Sequence, residues 1–205
     1  MASKRVLLAC LAIVVAAAVV LFATFLTRPP DPKLDDLGVV PAFHLLDERG
    51  QPFTEEALRG HITIVSFIFT RCDTICPVTS MKMAHLQEQT FDVGDKVKLL
   101  SFSVDPGYDT PPRLAAYAQR FGADPTRWRF VTGQPDRVKA LIEGPFMTST
   151  QVEGTQADGA PNIAHGGYFL LVDPTLHIRG SFSSNDRDRL DELGRAARFL
   201  ARTML

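Results

Sequence analysis

Two cysteines separated by three residues carry the chemistry most easily read from this chain: Arg71-Cys72-Asp73-Thr74-Ile75-Cys76-Pro77. The run before them, Ile62 to Phe69, is almost entirely β-branched or aromatic and predicts a strand buried on both faces. Pro77 is a residue type suited to open a helix, so both thiols are expected at a strand-to-helix turn. With Pro77 as the first helical residue, Cys76 sits at or beside the cap. There, unpaired backbone N–H groups and the positive end of the helix dipole favour thiolate over thiol. Cys72 can fold back toward it. Three uses follow: a structural disulfide, thiol–disulfide exchange, or ligation of one soft metal ion. A loop this short adds little stability through chain entropy, which weakens the first. Soft thiolates select Cu(I), and a nitrogen ligand would let the same site hold Cu(II).

A nitrogen ligand must come from His44, His61, His85, His165 or His177. His44, His61 and His177 fall in or beside turns and read as surface residues, and His85 lies on the helix after Pro77. His165 stands where a long Gly-, Thr- and Ser-rich excursion, Gly144 to Ala164, meets an apolar strand. A sheet that brings that strand beside the one before Cys72 carries His165 toward the cysteines. Asp105 and Asp109 flank a second strand-to-helix turn on the same expected sheet edge. Asp109 reads as a helix cap and Asp105 as a turn former before Pro106. Met81 and Met83 read as core filling.

These residues need a scaffold. Phe43 to Phe53 reads as a β-hairpin, followed by the strand before Cys72, a helix from Pro77 and a second buried strand, Val97 to Val104. A helix from Pro111 to about Phe121, a short strand, Arg129 to Thr132, and a short helix, Asp136 to Ile142, come next. After the excursion, two strands turn at Asp173-Pro174-Thr175, and an amphipathic helix, Asp186 to Met204, closes the chain. Alternating β and α units ending in a hairpin and a covering helix predict an α/β, thioredoxin-like sheet with flanking helices.

Composition sets the surroundings. Of 205 residues, 45% are hydrophobic and the formal net charge is -1, without a basic cluster, so a nucleic-acid partner is excluded. Val6 to Leu26 is 21 residues without a charge, about 31 Å as a helix, the thickness of a bilayer's hydrocarbon core. Too long for a signal-peptide core and lacking a cleavage site after it, it reads as one N-terminal transmembrane anchor. Lys4 and Arg5 before it place residues 1–5 in the cytoplasm by the positive-inside rule. For a bacterial inner membrane, the rest then lies in the periplasm, where an unattended dithiol oxidises. The organisation read from sequence is 1–5 cytoplasmic, 6–26 transmembrane, 27–38 a proline-rich linker and 39–205 the folded domain.

The order and spacing of three segments resemble the SCO/SenC family of membrane-anchored copper proteins of cytochrome c oxidase assembly. They are Phe67-Ile-Phe-Thr-Arg-Cys72-Asp-Thr-Ile-Cys76-Pro77, Ser103-Val-Asp105-Pro106-Gly-Tyr-Asp109-Thr-Pro111, and His165 followed by Tyr168-Phe-Leu-Leu-Val-Asp173-Pro174. The resemblance runs from about Val39 to the C-terminus. It implies a thioredoxin-like copper-binding domain with copper on Cys72, Cys76 and His165, supported by Asp105 and Asp109. The implied role is a metallochaperone for the CuA centre of oxidase subunit II, or a thiol–disulfide oxidoreductase keeping that subunit's cysteines reduced, with Cys72 and Cys76 as the redox pair. The chain departs from the family where Asp73 and Thr74 follow the first cysteine in place of Pro and Asp, and where Gly166 and Gly167 follow His165.

Overall fold

A buried parallel pair of strands sets the frame. β3 (Ile62–Ile68) and β4 (Val97–Ser103) pair in register from Ile62↔Val97 to Ile68↔Ser103. Alternation divides their side chains between two cores: Ile62, Ile64 and Ile68 face one, Val65 and Phe67 the other. With both faces covered, the strands read as continuous apolar runs. The computed structural model describes residues 2–26, 31–73, 75–144, 146, 152–155, 161–163 and 167–205.

Around that pair the chain builds a seven-stranded mixed sheet, order β2-β1-β5-β4-β3-β8-β9. β1 (His44–Asp47) and β2 (Pro52–Thr54) form the expected hairpin, and β5 (Trp128–Thr132) runs parallel to β4. β8 (Tyr168–Val172) is antiparallel to β3 and to β9 (Ile178–Ser183). The helices α2 (Ile75–Gln89), α3 (Pro111–Arg120) and α5 (Arg187–Thr203) bury Met83, Leu86, Leu114, Leu193 and Leu200 against one face. On the other, α4 (Pro135–Glu143) and the hairpin enclose Phe43, Phe53, Phe67, Phe102 and Phe146. The thioredoxin-like arrangement of sheet and helices is as expected.

Three expectations are revised. The excursion after Gly144 carries a two-stranded ribbon, β6 (Val152–Thr155) with β7 (Pro161–Ile163), because backbone pairing needs no large apolar side chains. The second half of the linker is bound along β9: Asp35 N–H donates to the Arg179 carbonyl (2.9 Å), Leu37 N–H to that of Ile178 (2.9 Å), and Val40 N–H to that of Leu176 (2.9 Å). Strand pairing thus extends into a segment whose prolines suggested a loose tether. The helix after the cysteines begins at Ile75, not Pro77.

The chain divides into two compact units, Met1–Asp31 and Pro32–Leu205. In the first, α1 (Ala2–Leu26) covers the expected anchor with a helix of 25 residues. Among the described residues, no helix is long and apolar enough to cross a membrane.

Candidate metal centre

The earlier start of α2 changes the roles of the two cysteines. Cys76 is the second helical residue, and Pro77 follows in the first turn, where a missing N–H breaks no helical hydrogen bond. The Cys76 N–H donates to Cys72 Sγ at 3.4 Å, and the Cys72 N–H donates to the Phe69 carbonyl at 3.3 Å, closing a tight turn after β3. The positive end of the helix therefore faces the Cys72 sulfur, and not that of Cys76 as the sequence suggested. The Cys72 sulfur beside it, then burial, push the Cys76 thiol far up, against a backbone hydrogen bond with Phe69. Both residues are thiols, with only 8% of Cys72 and 2% of Cys76 exposed, packed into the core shared with Ile68, Phe69 and Tyr117. Two converging soft sulfurs fit Cu(I) as a donor set.

Asp105 and Asp109 come together with the cysteine loop as expected, through different contacts. Asp109 is fully buried and caps nothing: the N-cap of α3 is Thr110, which makes no side-chain cap bond. Its carboxylate accepts from the Thr70 N–H (3.2 and 3.1 Å), the Thr70 hydroxyl (2.5 Å) and the Ser103 hydroxyl (2.6 Å). It thus ties the loop after β3 to the end of β4. Burial pushes its carboxyl up despite these donors. Asp105 pairs with Arg71, the residue before Cys72, at 2.6 Å, and Arg71 lies over the Tyr108 ring, 4.6 Å from its centroid.

His165 lies outside the described residues. Among the described residues, no three histidine, cysteine or carboxylate side chains gather as a metal-binding group. The described chain resumes at Gly167, whose carbonyl accepts from the Ser184 N–H at 2.7 Å. An added Cβ at Gly167 would meet Ser184 Oγ at 2.8 Å and Thr79 Oγ1 at 3.2 Å. Thr79 is three residues after Cys76, so glycine lets the start of β8 approach the first turns of α2. Of the other histidines, His44 and His85 are exposed, His61 Nδ1 contacts the Asp95 carbonyl (3.1 Å), and His177 Nδ1 contacts Asp36 (3.1 Å). Met83 is core, as read from the sequence, while Met81 is 56% exposed. Sequence reasoning missed Thr70 and Ser103, and also Ser80 and Tyr117, whose hydroxyls meet at 2.9 Å under the thiols. The one available signal was that Ser80 stands one helical turn after Cys76.

Residues 32–196 match the family model described as SCO1/SenC. The chain belongs to the SCO1/SenC family. A relative from Stutzerimonas stutzeri named as a putative copper-binding protein is 31% identical, the alignment covering 69% of this chain and 67% of that protein. BsSco, a member of the Sco family of cytochrome c oxidase assembly proteins whose structure work identified a disulfide switch, superposes with a TM-score of 0.69 and 26% identity over 85% of this chain and 98% of its own. Yeast Sco1 with copper bound superposes with a TM-score of 0.56 and 25% identity, covering 80% of this chain and 89% of its own. The family assignment thus rests on the stretch that forms the second compact unit.

Proposed function

We propose that this SCO1/SenC protein is a copper metallochaperone that carries one copper ion on Cys72, Cys76 and His165 and passes it to a copper-receiving protein, the CuA site of cytochrome c oxidase subunit II. The observation that carries the reading is the approach of two buried thiols at the start of α2, with the Cys76 N–H directed at Cys72 Sγ (3.4 Å). Copper is named by relatives whose likeness covers this segment. Two thiolates suit Cu(I), and an imidazole completes a set that also holds Cu(II). Asp109 and the Asp105–Arg71 pair hold the loop that presents the sulfurs. Residues 6–26 anchor the protein in a bacterial inner membrane with the folded domain in the periplasm; the uncharged run and the charges before it support this placement.

Copper titration of the full chain in detergent tests the site. The expected result is about one copper per chain, with a sulfur-to-Cu(II) absorption band that disappears in Cys72→Ala, Cys76→Ala and His165→Ala. An unchanged His165→Ala spectrum removes the histidine from the site. Unchanged binding in both cysteine variants removes the site itself.

The closeness of the two sulfurs also favours a second reading, a thiol–disulfide oxidoreductase acting on subunit II cysteines. One thiolate attacks the partner's disulfide and the other resolves the mixed disulfide. Two electrons and two protons leave with the partner as a dithiol, and Cys72 and Cys76 remain bonded. Reduction of a disulfide-bonded subunit II peptide by the reduced chain, indifferent to His165→Ala, would select this reading.

A further inference from the structure

On the face of the sheet that carries α3, part of an inner strand is left uncovered. Leu46 lies in β1, between β2 and β5, yet it is 40% exposed. It stands opposite Pro52 on β2 and Thr132 on β5. These three residues line a groove of about 570 Å³ that is walled by Pro106, Pro111 and Pro135. Thr132 is only 4% exposed, and its hydroxyl has no partner among the described residues. Buried polar groups seldom go unpaired, and each such case calls for an explanation. Because the side chain borders the groove, a bound chain would bring the missing partner.

The groove also has a sign. Arg137, exposed on α4, lines it, and among the described residues no carboxylate pairs with this guanidinium. The one carboxylate in the lining, Asp109, is fully buried and engaged by Thr70 and Ser103. The prolines have fixed φ, so these walls lose little freedom when a ligand binds, and they bring no N–H donors of their own. Polar recognition therefore falls to Arg137, Thr132 and the exposed imidazole of His44, which also lines the groove. A second groove of about 530 Å³ meets the first at His44, Leu45 and Arg137 and continues past Pro41 and Leu141. The joined trough is elongated, a shape that suits an extended chain better than a compact small molecule.

We propose that this trough docks an extended segment of the copper-receiving protein in which apolar residues flank a carboxylate. The apolar side chains cover Leu46 and the prolines, the carboxylate pairs with Arg137, and a backbone group of the segment meets the Thr132 hydroxyl. The inference rests on the metallochaperone reading for the protein to which the segment belongs. Asp109 links the groove to the thiols: it lines the one and holds Thr70, two residues before Cys72. A recipient docked here lies beside the loop that presents the sulfurs.

The test titrates the copper-free CuA domain of subunit II onto the full chain in detergent and follows binding at several salt concentrations. Arg137→Glu is expected to weaken binding about tenfold and to remove most of its salt dependence. Lys139→Glu makes the same charge change two residues further along α4, outside both grooves, and is expected to stay within about twofold of the parent. Leu46→Thr keeps a strand-forming residue and is expected to weaken binding about threefold. Thr132→Val removes the hydroxyl at nearly constant shape, so it should raise the urea midpoint of the free chain while weakening docking. Equal losses in Arg137→Glu and Lys139→Glu reduce the interaction to net charge and overturn the inference. Unchanged binding in both Arg137→Glu and Leu46→Thr overturns it as well. Absence of binding by the parent chain overturns docking of this recipient, while copper titration, which needs no partner, decides the metal site separately.

Discussion

Two buried polar centres stand at the carboxyl ends of β3 and β4, and they differ in the atoms they offer. Asp109 accepts from one backbone N–H and two hydroxyls, drawn from Thr70 on one loop and Ser103 on the neighbouring strand. The thiols of Cys72 and Cys76 lie against each other, with the Cys76 N–H directed at Cys72 Sγ. A carboxylate with its lone pairs engaged has little left to offer a ligand and works as a fastener. The two sulfurs are soft donors of the kind that select Cu(I), which is why the proposed function places the chemistry on them. On the proposed function, polar groups in one small region thus divide into a hard carboxylate that fastens the scaffold and soft sulfurs that bind the metal.

The contrast predicts opposite phenotypes. Asp109→Ala leaves three donors without this acceptor, the Ser103 hydroxyl buried and the two of Thr70 half-buried, and should cost about 3 kcal/mol of stability, read from the urea midpoint of the full chain. Cys76→Ala should cost clearly less in the same measurement while abolishing copper retention. Equal losses of stability would show that the thiols are structural and break the comparison. Thr70→Val is next in size: it keeps the backbone donor, removes one hydroxyl, and should cost about 1 kcal/mol.

The Asp109 carboxyl also has a pH signature. Burial raises it above the ordinary 3.8, so the folded state holds its proton in a window where the unfolded chain has released it. Stability contributed by this group is therefore full below 3.8 and declines as pH rises through that window, levelling off once the folded carboxyl ionises. Asp109→Asn keeps an oxygen for Thr70 and removes the titration. Relative to wild type, the variant should gain stability as pH climbs above 3.8. A difference that stays flat with pH, followed by urea unfolding across the acid range, would mean that the three donors fully offset burial.

How much of this was legible depended on whether the cause lay nearby in the chain. The strand before Cys72, the turn and the helix after it were readable because apolar runs and proline act locally. The helix start was misplaced by two residues because proline is tolerated anywhere in a first turn, so Pro77 marked the neighbourhood and not the first position. Asp109 read as a cap because a local partner was at hand. Its actual partners include Thr70, 39 residues away, which no local pattern encodes. The pinned half of the linker was missed for a similar reason, since its backbone bonds go to β9 and its prolines argued against regular pairing. Ser80 and Tyr117 look like ordinary helical residues until α2 and α3 are packed together. Of the candidate ligands, Cys72 and Cys76 are brought together by the fold, while His165 retains only its argument from sequence and resemblance.

The smallest effect is expected on the outer edge of the cysteine loop, where Arg71 pairs with Asp105 (2.6 Å) and covers the Tyr108 ring, while Arg113 lies against the same ring at 3.9 Å. The two ion-pair side chains are 22% and 12% exposed, so solvent and salt screen part of their attraction, unlike the bonds of Asp109. Arg71→Lys keeps the charge but gives up the planar fork and the stacking. It should cost less than about 1 kcal/mol, with the loss shrinking as salt is added. Copper stoichiometry should not change, because the inner hold on the loop through Thr70 is untouched. A loss as large as that of Asp109→Ala would reverse the ranking, making the exposed ion pair, and not the saturated carboxylate, the contact that fixes the sulfurs.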